Sequence, residues 1–338
     1  MSNPIKNLTD AEARKAFPLA KKYANASKLS RVEWLKTRRS GIGGSEVAAI
    51  LGLSKWSSEY QIWLDKTSNE EPEEKKSNVL EWGSRLEPVI RQKVADETDG
   101  QVYIVPQMLR SKKYPHMCAD LDGVILTASG EWVGLEIKTH REYGSKDWAF
   151  GVPAYYQTQV QHYMAVTGLK KFIVVCLLNG SDFVSYEVEA NTDFISALYD
   201  VEQKFWNKVQ SGEKPLADGS DGTAKQIAKL YGDARTADKV VLEGEQETVM
   251  VALLDSYQSA KDSESDAKEA KTLAANRIKE MLGVAGAKTV AAGDYVVSWT
   301  MNETTSFDAD AFKKDYPELF ERYTSKKQRD GGIKIKTA

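Results

Sequence analysis

The sequence predicts an α/β or α+β fold in which one sheet is sandwiched between helical layers, with a smaller unit after it. Three observations predict it. Segments 101–106, 117–126, 131–138, 171–178 and 182–188 are rich in β-branched and aromatic residues and are bounded by glycine or polar turns, which reads as strands. Helical patterns precede this run, one is inserted at 153–167 between its third and fourth members, and another follows at 192–209, so helices are available to cover the sheet. Around 211–222 the composition shifts to Gly, Ser, Asp and Pro, which marks a domain boundary.

Taken in order, residues 30–39 carry Val32, Trp34 and Leu35 at helical spacing, and Gly41-Ile42-Gly43-Gly44-Ser45 breaks that helix before a second one at 46–51. A further helix is expected near 59–66. After a charged linker at 70–77 a longer one covers 79–98, where Pro88 removes an N–H and kinks the helix. The period then changes to that of strands. Beyond the boundary, 243–282 is rich in Ala, Lys and Glu and suits a long helix or a helical hairpin. Gly293-Asp294 between strand-like stretches at 288–292 and 295–301 signals a β-hairpin. Residues 308–323 read as helix. The expected organisation is a core at 1–215, an accessory domain at 222–324 and a basic, mobile tail at 325–338.

Composition excludes several function classes. Hydrophobic residues at 41% and charged residues at 28% are ordinary for a globular chain, not for a disordered one. The net charge of −3 means that any nucleic-acid surface must be a local basic patch. Both ends are basic: Lys and Arg outnumber Asp and Glu over 1–59, and the tail carries Lys326, Lys327, Arg329, Lys334 and Lys336 against Asp330. Cys118 and Cys176 lie in apolar, strand-like stretches and read as buried thiols of a reducing compartment. Two cysteines cannot ligate a four-cysteine cluster. His116, His140 and His162 lack metal-ligand spacing and read as structural, with His140 near enough to Lys138 to touch a substrate. No apolar run resembles a signal peptide or a membrane span, so a soluble, cytoplasmic protein is expected.

The chemistry concentrates in Asp122 and in Glu136-Ile137-Lys138. Alternate side chains of a strand share a face, so Glu136 and Lys138 point one way while Leu135 and Ile137 point into the core. Asp122 lies on the preceding strand, where Gly123 permits a bend toward Glu136. Two carboxylates and a backbone carbonyl, that of Ile137, are hard oxygen ligands suited to Mg²⁺. A lysine beside them can hold a nucleophilic water or offset charge in the transition state. An isolated Glu-x-Lys is usually a solvent-facing charge pair; an acid at the bend of the strand before it makes the pattern informative. This arrangement resembles the PD-(D/E)xK nucleases, with Leu121 in place of the proline, and Asp120 is a rival ligand two residues from Asp122.

Further segments in the right order sharpen the resemblance. Arg38-Arg39-Ser40-Gly41-Ile42-Gly43-Gly44-Ser45-Glu46, Glu81-Trp82-Gly83-Ser84-Arg85-Leu86-Glu87-Pro88, Leu121-Asp122-Gly123, Leu135-Glu136-Ile137-Lys138 and Tyr156-Gln157-Thr158-Gln159-Val160-Gln161 together look like the YqaJ-type viral recombinase family, relatives of bacteriophage lambda exonuclease. The resemblance spans about 30–209. It implies an α/β, restriction-endonuclease-like core, a central mixed sheet flanked by helices; the smaller α+β accessory domain read from the pattern after 222 lies outside it. It also implies Mg²⁺-dependent (Mn²⁺ substituting) 5′→3′ digestion of one strand of linear duplex DNA, leaving a 3′ overhang for phage recombination by single-strand annealing. Rings of three subunits, DNA ends as substrate, a phage annealing protein as partner and a bacterial host cytoplasm follow from the same likeness.

Residue by residue, the resemblance implies that Asp122 and Glu136 hold metal, that Lys138 positions the attacking water, and that Glu87 and Gln159 belong to the same site. It implies that Arg38 and Ser45 grip a terminal 5′-phosphate, for which a guanidinium beside a helix start is physically suited. Arg39 could exchange roles with Arg38. Asp120 departs from lambda exonuclease, which has a small hydroxyl residue there. Trp56, Trp63, Trp82, Trp148, Tyr155 and Tyr156 could stack on bases or split strands; Trp63 and Trp82 are expected in the core, and Trp148 is open. A PD-(D/E)xK endonuclease and a non-catalytic DNA-binding partner are the alternatives. The accessory domain is read either as docking the annealing protein or extending the DNA track, or as stabilising the core or its oligomer.

Overall fold

The computed structural model describes residues 4–72, 77–141, 146–232, 239–325, 333 and 335. Most of the basic tail expected at 325–338 therefore lies outside the described residues. The chain divides into two compact units, Met1–Asp233 and Ala234–Ala338.

The first unit begins with β1 (Lys6–Asn7), α1 (Asp10–Ala16), β2 (Ala20–Asn25), α2 (Arg31–Arg39), β3 (Ile42–Gly43), α3 (Gly44–Ile50) and α4 (Glu59–Thr67). Thr9, Ser30 and Ser58 start α1, α2 and α4 with a side-chain oxygen on the third helical N–H. Glu12, Glu33 and Gln61 reach back to the capping residue's own amide. α5 (Asn78–Glu97) follows, with Pro88 inside it.

Strands then dominate: β4 (Gln101–Ile104), β5 (Gln107–Ser111), β6 (Met117–Ala119), β7 (Gly123–Leu126) and β8 (Trp132–His140). α6 (Ala154–Thr167) ends at Gly168, which adopts φ +85° as a left-handed cap. β9 (Lys171–Leu178) and β10 (Asp182–Glu189) form a hairpin closed by Asn179 and Gly180, both at positive φ. α7 (Thr192–Ser211) and α8 (Asp221–Tyr231) complete the unit.

The central sheet is mixed and six-stranded, in the order β1-β4-β7-β8-β9-β10. β8 and β9 are parallel, which needs a crossover, and α6 supplies it. Alternation along the strands feeds two cores. Ile125, Leu135, Ile137 and Val175 pack with Ile90 and Val94 of α5, while Val124, Phe172, Val174 and Cys176 pack with Val160 and Met164 of α6. Helices thus cover both faces of the sheet at the level of β8.

A second sheet, β2-β5-β6-β3, goes beyond the sequence reading. The single strand expected at 117–126 is two strands in different sheets, parted by a bend at Asp122. Residues 221–231, adjoining the glycine-rich stretch, are helix and belong to the first unit: Thr223 is fully buried and bonds the Ser58 hydroxyl at 2.7 Å.

In the second unit, 245–284 is one continuous helix, α9 (Glu245–Val284), of 40 residues, about 60 Å long at 1.5 Å per residue. β11 (Thr289–Ala292) and β12 (Tyr295–Ser298) form the expected hairpin around Gly293, φ +58°. α10 (Ala309–Asp315) and α11 (Pro317–Tyr323) divide the helix expected at 308–323, with Pro317 starting the second. Among the described residues no helix is long and apolar enough to cross a membrane.

Candidate active site

β7 pairs with β8 only from Gly123, opposite Leu135, onward, so β8 runs past the start of β7 with that edge open. Asp122 occupies the gap. Its Oδ2 accepts the Ile137 N–H at 2.7 Å, which sets the carboxylate beside Glu136. The N–H and C=O of one strand residue face the same edge, so the Ile137 carbonyl is turned to the Asp122 side as well.

Glu136 is 1% exposed, and its Oε1 receives Lys138 Nζ at 2.5 Å and Gln159 Nε2 at 2.7 Å, while Oε2 is buried without a partner. Gln159 Nε2 also lies 3.1 Å from the Tyr163 hydroxyl, one helical turn along α6. Leu135 and Ile137 face α5 in the opposite layer, as strand alternation predicts. Glu87, on α5, forms an ion pair with Arg91, whose Nε donates to the Asp122 carbonyl at 3.0 Å.

Crowding buried carboxylates shifts their protonation. Burial and the neighbouring Glu136 push Asp122 well above the usual carboxylate range. Burial also raises Glu136, against the pull of Lys138. For Lys138, burial opposes the charge, yet Glu136 and Asp122 outweigh it and hold the ammonium above its ordinary value. Burial, with Glu136 and Asp122 nearby, pushes the Tyr163 hydroxyl well up.

A second cluster forms from α2, α3 and the bend. Arg38 Nη2 donates to Ser45 Oγ at 2.9 Å. Gly43 and Gly44 make room for this: a Cβ on Gly43 would meet Arg38 Nη2 at 2.7 Å, and one on Gly44 would meet the Tyr163 ring at 2.5 Å. The Glu46 carboxylate takes the Gly43 N–H at 2.8 Å, so a negative charge already sits at the start of α3. Lys66, its side chain fully buried, bonds Glu46 at 2.8 Å and the Arg38 carbonyl at 3.0 Å.

Arg39 is turned away from this cluster onto Asp65, at 2.9 Å, which leaves Arg38 facing Ser45. The strand breaks between Asp120 and Asp122, and the two carboxylates have different partners: Asp120 Oδ2 accepts Trp34 Nε1–H at 2.8 Å, whereas Asp122 Oδ2 accepts the Ile137 N–H.

One cavity of ≈ 340 Å³ joins the two clusters and is lined by Arg38, Ser45, Glu87, Asp122, Glu136, Lys138 and Gln159, with Asp120 among them. Trp34, Arg91 and Tyr163 also line it, and the sequence did not mark them as site residues. Helical spacing could have found two of them, since Arg91 is four residues from Glu87 and Tyr163 four from Gln159.

A wider groove of ≈ 1300 Å³ shares Ser45, Lys138 and Gln159 with the cavity and adds Trp56, Trp82, Tyr155, Tyr156 and His140. Lys138 Nζ sits 4.8 Å over the Tyr156 ring. Trp82, expected in the core, is 58% exposed and lines this groove with Thr139, His140 and Leu177. Trp63 is buried as expected, and Trp148 proves to be core at 1% exposure. His162 is fully buried between Glu202 and the Cys118 carbonyl, each at 2.8 Å, a structural role. His116 is buried against Trp206, and both cysteines are buried and free.

No group of three or more His, Cys, Asp or Glu side chains clusters as metal ligands among the described residues. The donors nearest to such a group are the Asp122 and Glu136 carboxylates. They fit an oxygen-seeking divalent cation on two observations: Glu136 Oε2 is buried without a partner, and burial together with the neighbouring Glu136 opposes the charge on Asp122, which a cation would offset. The Ile137 carbonyl could complete the set.

The family model of the YqaJ-like viral recombinase domain matches residues 33–170, a span that contains every residue of both clusters. The Bacillus subtilis (strain 168) protein YqaJ is 31% identical over 307 residues, 90% of this chain and 93% of that protein. Among solved structures, the alkaline exonuclease LHK-Exo from Laribacter hongkongensis is similar at a TM-score of 0.45 and 19% identity, over 59% of this chain and 98% of its own. A phage related exonuclease from Haemophilus somnus 129PT gives a TM-score of 0.38 and 12% identity, over 53% and 99%.

Proposed function

Because the chain belongs to the YqaJ-like viral recombinase family, we propose that it is a metal-dependent exodeoxyribonuclease. It digests one strand of linear duplex DNA 5′→3′ and leaves a 3′ overhang for recombination by single-strand annealing. The observation that carries this reading is the Asp122 carboxylate on the Ile137 amide, beside Glu136 and Lys138 in one cavity.

On this reading Asp122, Glu136 and the Ile137 carbonyl hold the cation. Bound Mg²⁺, or Mn²⁺ in its place, would polarise the scissile phosphate and lower the pKa of a water. Lys138 keeps its proton because of Glu136 and Asp122, so it acts as a fixed positive charge for the nucleophile and the charge that develops on phosphate. Gln159 holds the Glu136 carboxylate in place through its amide. Glu87, tied to Arg91, braces the Asp122 side of the site. Arg38 and Ser45 receive the 5′ end. By the same family reading the chain works as a trimer beside a phage single-strand annealing protein in the cytoplasm of a bacterial host. The second unit is then a docking module for that partner.

The test is digestion of linear and circular duplexes by the purified chain with Mg²⁺ or with a chelator. Loss of linear DNA alone, abolished by the chelator, is the expected result. Nicking of circular DNA would make the chain an endonuclease, and digestion in chelator would remove the cation from the account.

A further inference from the structure

The cavity holds a carboxylate that the proposed chemistry does not use. Asp120 lines it, but the bend after β6 directs this side chain to Trp34 instead of to Glu136. The Trp34 ring carries the Arg38 guanidinium 4.8 Å from its centre and that of Arg31 at 4.2 Å. Asp120, Trp34 and Arg38 are therefore one connected group, and Arg38 is the residue that also reaches Ser45. A negative charge has been placed beside the cation expected to hold an anion.

The other acid near Arg38 does not have the same effect. Glu46 lies 3.8 Å from Arg38, but Lys66 offsets its charge from 2.8 Å. Burial raises Asp120 above the ordinary carboxylate value, against the pull of the Trp34 N–H and then of Arg38 and Arg31, so among the described residues the charge that balances it includes the guanidinium that a DNA end would use.

We infer that Asp120 sets which DNA ends the chain accepts: its carboxylate opposes the hold of Arg38 and Ser45 on a 5′-phosphate and favours a 5′-hydroxyl end. This rests on the nuclease reading proposed above. The chemistry is one of donors and acceptors. A deprotonated phosphate presents only acceptor oxygens, and so does a carboxylate, so the two repel and neither can donate to the other. A 5′-hydroxyl carries no charge and has an O–H to donate. The Trp34 N–H uses one acceptor position of Asp120 and leaves others for it. An end pocket with Arg38 alone would discriminate strongly for phosphate; with Asp120 in its wall it discriminates weakly.

The test compares the full-length chain with Asp120→Asn, which keeps the shape, and with Asp120→Ser, which keeps only a hydroxyl. Each is given linear duplexes that differ only in a 5′-phosphate or a 5′-hydroxyl, and two ratios are read. One is the ratio of digestion rates with Mg²⁺. The other is the ratio of dissociation constants in chelator, by fluorescence anisotropy. Both ratios should move toward the phosphorylated end by about tenfold in both variants, the size of one charge-assisted contact. Ratios that stay as in the wild type, or that move toward the hydroxyl end, overturn the inference. If the wild type digests neither substrate, the nuclease reading fails, and the binding ratio still decides the role of Asp120 by the same criterion.

Discussion

The Ile137 amide donates a 2.7 Å hydrogen bond to the Asp122 carboxylate across the point where β7 has ended and β8 continues. A side chain thereby takes the place of a missing strand and brings an acid of one strand against the Glu-x-Lys of the next. On the proposed reading, Asp122→Asn keeps the shape but weakens acceptance of that amide and removes one charge from the cation site. Digestion should fall about a hundredfold or more, and the Mg²⁺ concentration for half-maximal activity should rise. An unchanged Mg²⁺ requirement would place the cation elsewhere.

Gln159→Leu should lower the digestion rate about tenfold with little change in DNA affinity. The amide bonds Glu136 Oε1 at 2.7 Å, and a buried carboxylate deprived of one donor loses of the order of 1–3 kcal/mol of satisfaction. Steady-state kinetics separates the cases: a loss confined to KM would assign Gln159 to substrate binding.

Arg38→Ala should shrink whatever preference the chain has for 5′-phosphorylated over 5′-hydroxyl ends, by about tenfold. The motive is the Arg38 to Ser45 contact at 2.9 Å in the cavity wall. Equal slowing on both ends would give Arg38 a structural role.

Lys66→Met should destabilise the first unit by about 3–5 kcal/mol, because it leaves the nearly buried Glu46 with only the more distant Arg38, at 3.8 Å, as a counter-charge among the described residues. The double change Lys66→Met, Glu46→Gln should recover most of that loss in urea titrations. Because Lys66 and Arg38 hold Glu46 below its ordinary value despite burial, the pair adds stability above about pH 4.5 and loses it as pH falls further.

His116 governs a different window. Burial, aided by His162, pushes it from 6.5 down to about 4, so the folded chain resists its protonation. Its contribution is whole above pH 6.5 and declines as pH falls from there to about 4. His116→Gln should flatten the fall in stability between pH 6.5 and about 5.5, above the range in which Glu46 titrates. An unaltered slope would contradict the burial effect.

Much of this site was legible because strand and helix periods are stiff constraints. Two-residue alternation placed Glu136 and Lys138 on one face of β8 without any knowledge of the sheet, and α6 ended where Gly168 supplied a left-handed cap. What escaped were features without a local signature. β3 has two residues and β6 three, and neither alternates, so the second sheet exists only through tertiary pairing. The same bend that separates Asp120 from Asp122 made one strand of two. Trp82 escaped because apolar neighbours on a helix do not reveal which of them face an open groove instead of the core. Trp34 joins Asp120 from a residue 86 positions away, which no spacing rule reaches.

The most direct measurement is single-turnover digestion of an end-labelled linear duplex by the wild type and by Lys138→Ala, with binding of the same duplex measured in chelator. The ammonium is held beside Glu136 at 2.5 Å and acts on charge that develops only in the transition state. The account predicts a rate lowered about a hundredfold or more, with DNA affinity within about twofold of the wild type. Full digestion by Lys138→Ala would contradict the assignment of this cavity as the active site.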